Sequence, residues 1–388
     1  MNIAGCSFVA DGTLCPTPAS VRAYLDKGFT MVRLPFKGPQ MADPAIRRKL
    51  VAATRAALDR SAYVVLDRHD YSWPSVSEQI AFWTSLMASM PRSDRIIIDP
   101  MNEPRHFDDP VLTNDWDQWA RDTNQIIAGL RAAGIRNVIA PEYPGSSATF
   151  RLRKREDAAK PSESALVALD RAGGLKDPLG LTIINGHRYF DKGSSGTQPS
   201  CTKTPGYDNF ASELRARGLK GIITESAFGR AGAIPPSCEA AGAAAIAYLK
   251  TNADTVVGVT WWGGGAAWNE RYLFKIEPKK GVSAPSTRTP ISTACSAADP
   301  ARLWSNGIKA DARYPASGRQ DQRWCGRLPK EKRDWEYAHF LHCRTQVSPP
   351  ASSTETTRHS PRRCQQMSIR TPLPPRVPAP SSERCRQA

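Results

Sequence analysis

Ile96-Ile97-Ile98-Asp99-Pro100-Met101-Asn102-Glu103-Pro104 is an aliphatic run that ends in acid, amide and acid. Gly221-Ile222-Ile223-Thr224-Glu225 repeats the pattern in the second half of the chain. β-Branched residues without polar interruption suit a strand buried on both faces, as in a parallel sheet covered by helices. Each of these strands delivers a glutamate at its C-terminal end. The fold question is how many such strands the chain holds and whether one sheet gathers them.

Working outward from these two, the pattern predicts eight strands, over residues 3–8, 29–34, 62–66, 95–99, 137–140, 181–184, 221–224 and 256–261. Between them the spacing predicts helices over 18–27, 44–60, 75–90, 114–133, 162–172, 208–217 and 238–252. Thr17 before Pro18 reads as a helix cap, and Gly134 and Gly218 stand where C-caps belong. Eight ordered β/α steps within about 280 residues are the signature of an α/β protein of the (β/α)8 TIM barrel type. The rival, a doubly wound sheet, carries a glycine-rich phosphate turn after its first strand. Here that turn reads Gly5-Cys6-Ser7-Phe8-Val9-Ala10-Asp11-Gly12, which is not GxGxxG.

The formal charge of +16 invites a nucleic-acid reading. Its distribution argues against one, since residues 279–388 carry a surplus of +12 and the body is close to neutral. Residues 1–280 are expected to form the catalytic barrel. Residues 281–388 form a basic Pro/Ser/Arg-rich tail of low complexity, expected to be largely disordered. No run of about 18 apolar residues occurs, so no membrane partner is expected. Residues 1–10 lack the basic start and long apolar stretch of a signal peptide, which leaves a cytoplasmic protein or one whose leader is not in this chain. Nine cysteines contain no CxxC pair. Cys6 with Cys15 and Cys201 with Cys238 could be disulfides of an oxidising compartment, or all four could be reduced thiols; spacing leaves both open.

In a barrel the chemistry sits at the C-terminal strand ends. Those ends hold Arg33, Asp67-Arg68-His69-Asp70-Tyr71, Asn102-Glu103, Asn185-Gly186-His187-Arg188-Tyr189, Glu225 and Trp261-Trp262. Each alone has an ordinary structural reading: Arg33 as an ion-pair partner, His69 as a satisfied core histidine, the tryptophans as packing residues. Their recurrence at one end of six strands points to a shared site. His69, Asp70 and His187 offer a metal alternative. The first strand lacks the His-x-His of a metallohydrolase barrel, so no metal and no cofactor is expected. No Gly-x-Ser-x-Gly elbow occurs. Two carboxyl groups about 5 Å apart suit retaining glycoside hydrolysis, one as proton donor and one as nucleophile.

Val32-Arg33-Leu34-Pro35-Phe36, Leu66-Asp67-Arg68-His69-Asp70-Tyr71, Asn102-Glu103-Pro104, Gly186-His187-Arg188-Tyr189-Phe190-Asp191 and Trp261-Trp262 together resemble glycoside hydrolase family 5. The likeness is strongest to its subfamily 5 endo-β-1,4-glucanases. Gly193-Ser194-Ser195-Gly196-Thr197, Gly221 to Gly229 and Tyr272-Leu273-Phe274-Lys275-Ile276-Glu277-Pro278 add to it, in order over residues 1–280. The resemblance implies Glu103 as acid/base and Glu225 as nucleophile. It implies Asn102 bonded to the 2-hydroxyl of the reacting sugar and Arg33 and Tyr189 on the nucleophile. It places His69 and His187 along the reacting subsite, with Trp262 as the stacking platform. It also implies a Cys201–Cys238 disulfide, a secreted or periplasmic protein, a monomer, and a β-glucan polysaccharide as partner. A β-mannanase, a mixed-linkage β-glucanase and a non-catalytic carbohydrate-binding barrel are the competing readings. Three departures stand out: Arg68-His69-Asp70 in place of Pro-His-Asn, which puts charges near the sugar; Ser226 in place of an aromatic; and the run Gly263-Gly264-Gly265.

Overall fold

A computed structural model describes residues 1–104, 116–153, 164–202, 207, 209–228, 235–269 and 271–276. The expected tail, residues 281–388, and the close of the barrel at Glu277-Pro278 lie outside the described residues. The described strands are β1 (Met31–Phe36), β2 (Tyr63–Arg68), β3 (Ile96–Asp99), β4 (Val138–Ile139), β5 (Ile184–Tyr189), β6 (Gly221–Ala227) and β7 (Val256–Trp261). The helices are α1 (Pro18–Leu25), α2 (Pro44–Leu58), α3 (Val76–Ser89), α4 (Trp116–Ala132), α5 (Ala165–Arg171), α6 (Phe210–Arg215) and α7 (Pro236–Thr251).

All the strand pairs are parallel, in the orders β1-β2-β3-β4 and β5-β6-β7. Two seams join these sheets into a ring. Ile139 of β4 bridges Thr182, just before β5. At the other seam the N-terminal residues lie between β7 and β1: Asn2 pairs with Arg33, Ile3 with Gly264, and the Asn2 amide donates to the Trp261 carbonyl at 2.8 Å. The N-terminal segment is thus the eighth stave of a (β/α)8 barrel.

The predicted first strand, 3–8, is shorter than expected. Pairing stops after Ile3 because the Cys6–Cys15 disulfide folds the following residues into a closed loop, with Phe8 donating back to Gly5 at 3.1 Å. The predicted strand at 181–184 shifts toward the C-terminus, so β5 contains His187 and Tyr189 rather than ending before them. Arg33 and Glu225 likewise lie within β1 and β6. The glycine run has a steric cause. At the exit of β7, a Cβ on Gly265 would collide with the Ala4 carbonyl, and its φ of +100° is costly for any other residue. Glycine lets the barrel close there.

Strand alternation explains the interior. Val32, Leu34, Val64, Leu66, Ile96 and Ile98 face the helices and join the main core. Met31, Val65, Ile97, Val138, Ile183, Ile222 and Val257 point inward and form a separate apolar plug. Burying each large aliphatic side chain contributes roughly 1.5–3 kcal/mol. With a side-chain period of two, the next inward residues are Arg33, Asp67, Asp99 and Asn185. The plug therefore becomes the floor of a polar layer. Helix starts are fixed by capping: Thr17 with Ser20 opens α1, and Ser75 with Glu78 opens α3, each as a reciprocal box.

Candidate active site

Arg33 is at the centre of the polar layer and is fully buried. Its Nη1 donates to Glu225 Oε1 at 2.6 Å. Its Nη2 donates to Asn102 Oδ1 at 2.7 Å and Glu142 Oε1 at 2.9 Å, and lies 3.0 Å from Asp67 Oδ2. Nε donates to Asp99 Oδ2 at 3.2 Å. Burial alone disfavours a charged guanidinium, but the carboxylates of Asp67, Asp99, Glu225 and Glu142 outweigh it and hold Arg33 protonated. Four carboxyl groups around one arginine are an excess of negative charge. Burial first and Glu142 second push Asp99 well above the usual carboxylate range, so that this acid tends toward its neutral form.

Glu225, on β6, accepts from Arg33 on one oxygen and from the Tyr189 hydroxyl on the other, at 2.7 Å. Burial, and then the charge of Glu225, push the Tyr189 hydroxyl well above its ordinary value, so it stays a donor. Glu103 follows β3 in the left-handed backbone region, φ +39°, a conformation that costs a non-glycine residue on the order of 1–3 kcal/mol. Two bonds hold it there: its amide donates to Glu142 Oε2 at 2.7 Å, and its Oε1 meets His187 Nδ1 at 3.2 Å.

His187 sits between the two glutamates, 3.7 Å from Glu225 Oε2, with Nε2 at 2.9 Å from Glu142 Oε1. Burial opposes its charge, yet Glu142 and Glu225 raise its pKa well above 6.5 and favour the imidazolium. One oxygen of Glu103, one nitrogen of His187 and one oxygen of Glu225 lie within 4.8 Å of one another. Such a set has the reach to hold a metal ion, which would have to displace the proton that the surrounding carboxyls favour on His187.

Across the site, His69 Nδ1 pairs with Asp67 Oδ2 at 2.7 Å and its Nε2 with the Tyr71 hydroxyl at 2.8 Å. Its ring stacks on Trp262 at 5.7 Å and 15°. Asp67 thus links the His69–Trp262 wall to Arg33. All eight residues singled out in the sequence therefore come together: Arg33, Asn102, Glu103, His187, Tyr189 and Glu225 in one bonded set, His69 and Trp262 beside it. Arg68 and Asp70 do not supply free charges to this site. They pair with each other at 2.6 Å, with the Arg68 guanidinium over the Phe82 ring and Asp70 accepting from the Gly38 amide at 2.9 Å.

Sequence reasoning missed Glu142. It follows β4, the shortest strand, and touches Arg33, His187 and Glu103. The signal was an acid just beyond Ile139-Ala140-Pro141, the same strand-end pattern that located Glu103. Asp99 and Asn2 were also missed as members of the site. Asn2 accepts from Arg33 at 3.2 Å and donates to the Thr224 carbonyl at 2.6 Å, tying the eighth stave to β6. The Cys201–Cys238 disulfide that the resemblance implied is formed, and so is Cys6–Cys15, which spacing had left open.

The sequence model of the family described as Cellulase (glycosyl hydrolase family 5) matches residues 1–265. Endo-beta-1,4-glucanase B of Emericella nidulans is 27% identical over 286 residues, 69% of this chain and 80% of that protein. A probable endo-beta-1,4-glucanase B of Aspergillus oryzae is 25% identical over 291 residues, 69% of this chain and 79% of its own. The solved structure of XacCel5A in complex with cellopentaose superposes with a TM-score of 0.64 at 25% identity, covering 76% of this chain and 97% of that one.

Proposed function

Because the chain belongs to the cellulase family, glycosyl hydrolase family 5, we propose that it is a retaining endo-β-1,4-glucanase cutting internal bonds of cellulose-like glucans. The observation that carries the reading is the Glu103–His187–Glu225 cluster, with its atoms within 4.8 Å. That spacing suits double displacement, in which the two carboxyls act on opposite sides of one bond, and is shorter than the roughly 6.5–9.5 Å of an inverting pair. The names of the fungal relatives and the cellopentaose bound to XacCel5A support a β-1,4-glucan as substrate.

In this reading Glu225 attacks the anomeric carbon while Glu103 gives its proton to the departing glycosidic oxygen. Water then replaces the enzyme carboxylate at that carbon as Glu103 takes the proton back. Arg33 and Tyr189, one on each oxygen, hold Glu225 aimed at the reacting carbon. Asn102 Oδ1 is committed to Arg33, and its Nδ2 has no partner among the described residues. That leaves Nδ2 to donate to a 2-hydroxyl. His69 and His187 line the reacting subsite, and Trp262 offers a flat face to the sugar. The two carboxyls supply the whole chemistry, so the reading requires no metal or cofactor.

The two disulfides fit an exported enzyme, since such bonds persist in oxidising compartments. No helix among the described residues is long and apolar enough to cross a membrane. The decisive experiment is product analysis on carboxymethyl-cellulose, mixed-linkage glucan, xylan and mannan. Internal cleavage of the first two with retained anomeric configuration is expected. Preferential cleavage of mannan, inverted products or no released reducing ends would overturn the reading.

A further inference from the structure

We propose that Asp191 is a positioning residue for the nucleophile, acting through the loop 191–198 on Tyr189 and thereby on Glu225. The proposal rests on the reading of Glu225 as nucleophile given above.

Asp191 lies two residues beyond Tyr189 and is 3% exposed. Its carboxylate accepts four bonds from the loop that follows. They come from the Ser195 hydroxyl at 2.5 Å, the Gly196 amide at 3.0 Å, and the Thr197 and Gln198 amides, each at 2.9 Å. Three successive backbone N–H groups converging on one carboxylate form a nest, which favours negative charge. Burial works against that charge, but the Ser195 and backbone bonds win and hold Asp191 below the usual carboxylate value, so it is ionised at any working pH. A polypeptide loop wrapped around a fixed charge has its course set by that charge.

The loop so wound meets Tyr189 in two places. Ser194 Oγ accepts from the Tyr189 amide at 2.9 Å. Gly196 lies against the Tyr189 ring, close enough that a Cβ there would stand 3.2 Å from the ring's Cδ1. The ring also stacks on Phe274 at 6.0 Å. Tyr189 is thus held at its backbone and along its ring, and its hydroxyl reaches Glu225 Oε2 at 2.7 Å. The end of the loop is anchored as well: the Thr202 amide donates to the Phe190 carbonyl at 2.9 Å, and Cys201 is bonded to Cys238 on α7. With both ends tied, loosening the nest moves the middle, where Ser194 and Gly196 touch Tyr189.

A loop that only stabilises the fold would lower Tm and leave the chemistry of Glu225 alone. A positioning loop changes the bond between Tyr189 and the nucleophile. Removing a hydrogen bond to the ionised form raises a carboxyl pKa. The test therefore measures kcat/KM against pH on carboxymethyl-cellulose for the wild type, Asp191→Asn, Tyr189→Phe and the double variant, with Tm for each. Expected is an acid limb moved to higher pH in Asp191→Asn, in the direction of Tyr189→Phe. In the double variant the rate loss at the pH optimum should be no more than that of Tyr189→Phe alone, since both act on one bond. Ser195→Ala removes one of the four bonds to Asp191, together with the hydroxyl's contacts to Thr197, and should give a smaller shift with a near-native Tm, which covers the case of a poorly folded Asp191 variant. An unmoved acid limb in both loop variants, or additive losses in the double variant, overturns the proposal while the wild type remains active. An inactive wild type overturns the functional reading itself and the proposal with it.

Discussion

Two buried arginines stand at opposite ends of the barrel, and their surroundings differ in kind. Arg131, at the end of α4 where the strands begin, forms a paired bond to Asp177 at 2.9 and 2.8 Å and donates to the carbonyls of Ile135 and Asn137. Asp177 also accepts from the amides of Leu179 and Leu181 and from the Thr182 hydroxyl. One charge meets one countercharge, and every bond ties the β4 and β5 seam together. Arg33, at the other end, faces Asp67, Asp99, Glu142 and Glu225. There the acids outnumber the bases, and protons must be shared. The first arrangement suits stability. The second gathers an excess of acids around one cation at the mouth, where the proposed nucleophile Glu225 lies.

Four experiments test this contrast. The largest effect is expected for Glu225→Gln. It should lower kcat on soluble cellulose derivatives by about 10⁴-fold or more, as loss of a covalent nucleophile does. Tm should stay level or rise, because one of the crowded acids around Arg33 is gone. A folded variant with near-native activity would end the nucleophile assignment. Glu103→Gln tests the partner role in the same assay.

Arg33→Met should cost about 3–5 kcal/mol of unfolding free energy, since it strands buried carboxylates without their cation. Denaturant titration measures it. Combining it with Glu225→Gln should restore part of the loss, because the two sites share one interaction. Strict additivity would contradict the picture of an over-acidic mouth.

Asp177 speaks for the other end. Burial pushes its pKa up, but the bonds from Arg131, Thr182 and Leu179 prevail and bring it down to about 2. A depressed folded-state value stabilises the protein above the unfolded pKa near 4, and that contribution fades as pH falls toward 2. It should amount to about 2 kcal/mol, with side chains 5% and 4% exposed limiting solvent screening. Asp177→Asn should flatten the stability profile between pH 4 and 2 without altering kcat at neutral pH; an unchanged acid profile would remove Asp177 from the account.

The smallest effect is expected from Tyr189→Phe, which removes one hydrogen bond to a charged group, about 1.5 kcal/mol or tenfold in kcat. A loss in KM alone would mean that Tyr189 binds sugar rather than orienting Glu225.

Most of the barrel was legible because burial on two faces leaves a plain mark, as in Ile96-Ile97-Ile98. The strand limits were less so. β5 contains Asn185, His187 and Arg188, residues that read as loop because polar side chains inside a barrel break the aliphatic pattern. The first stave was overestimated because its alternation continues into residues that the Cys6–Cys15 loop turns away.

The order of strands and helices, and which residues could act at their ends, could be read from the amino-acid pattern alone. This is so because burial and strand period are local properties of residue type. Tertiary structure decided what those residues are to one another. Only the closed barrel places Glu142, Asp99 and Asn2 on Arg33, although they lie 109, 66 and 31 residues from it in the chain. The charge state of His187 and the aim of Glu225 depend on such neighbours. Electrostatic energies follow distance in space, which a linear order of residues does not contain.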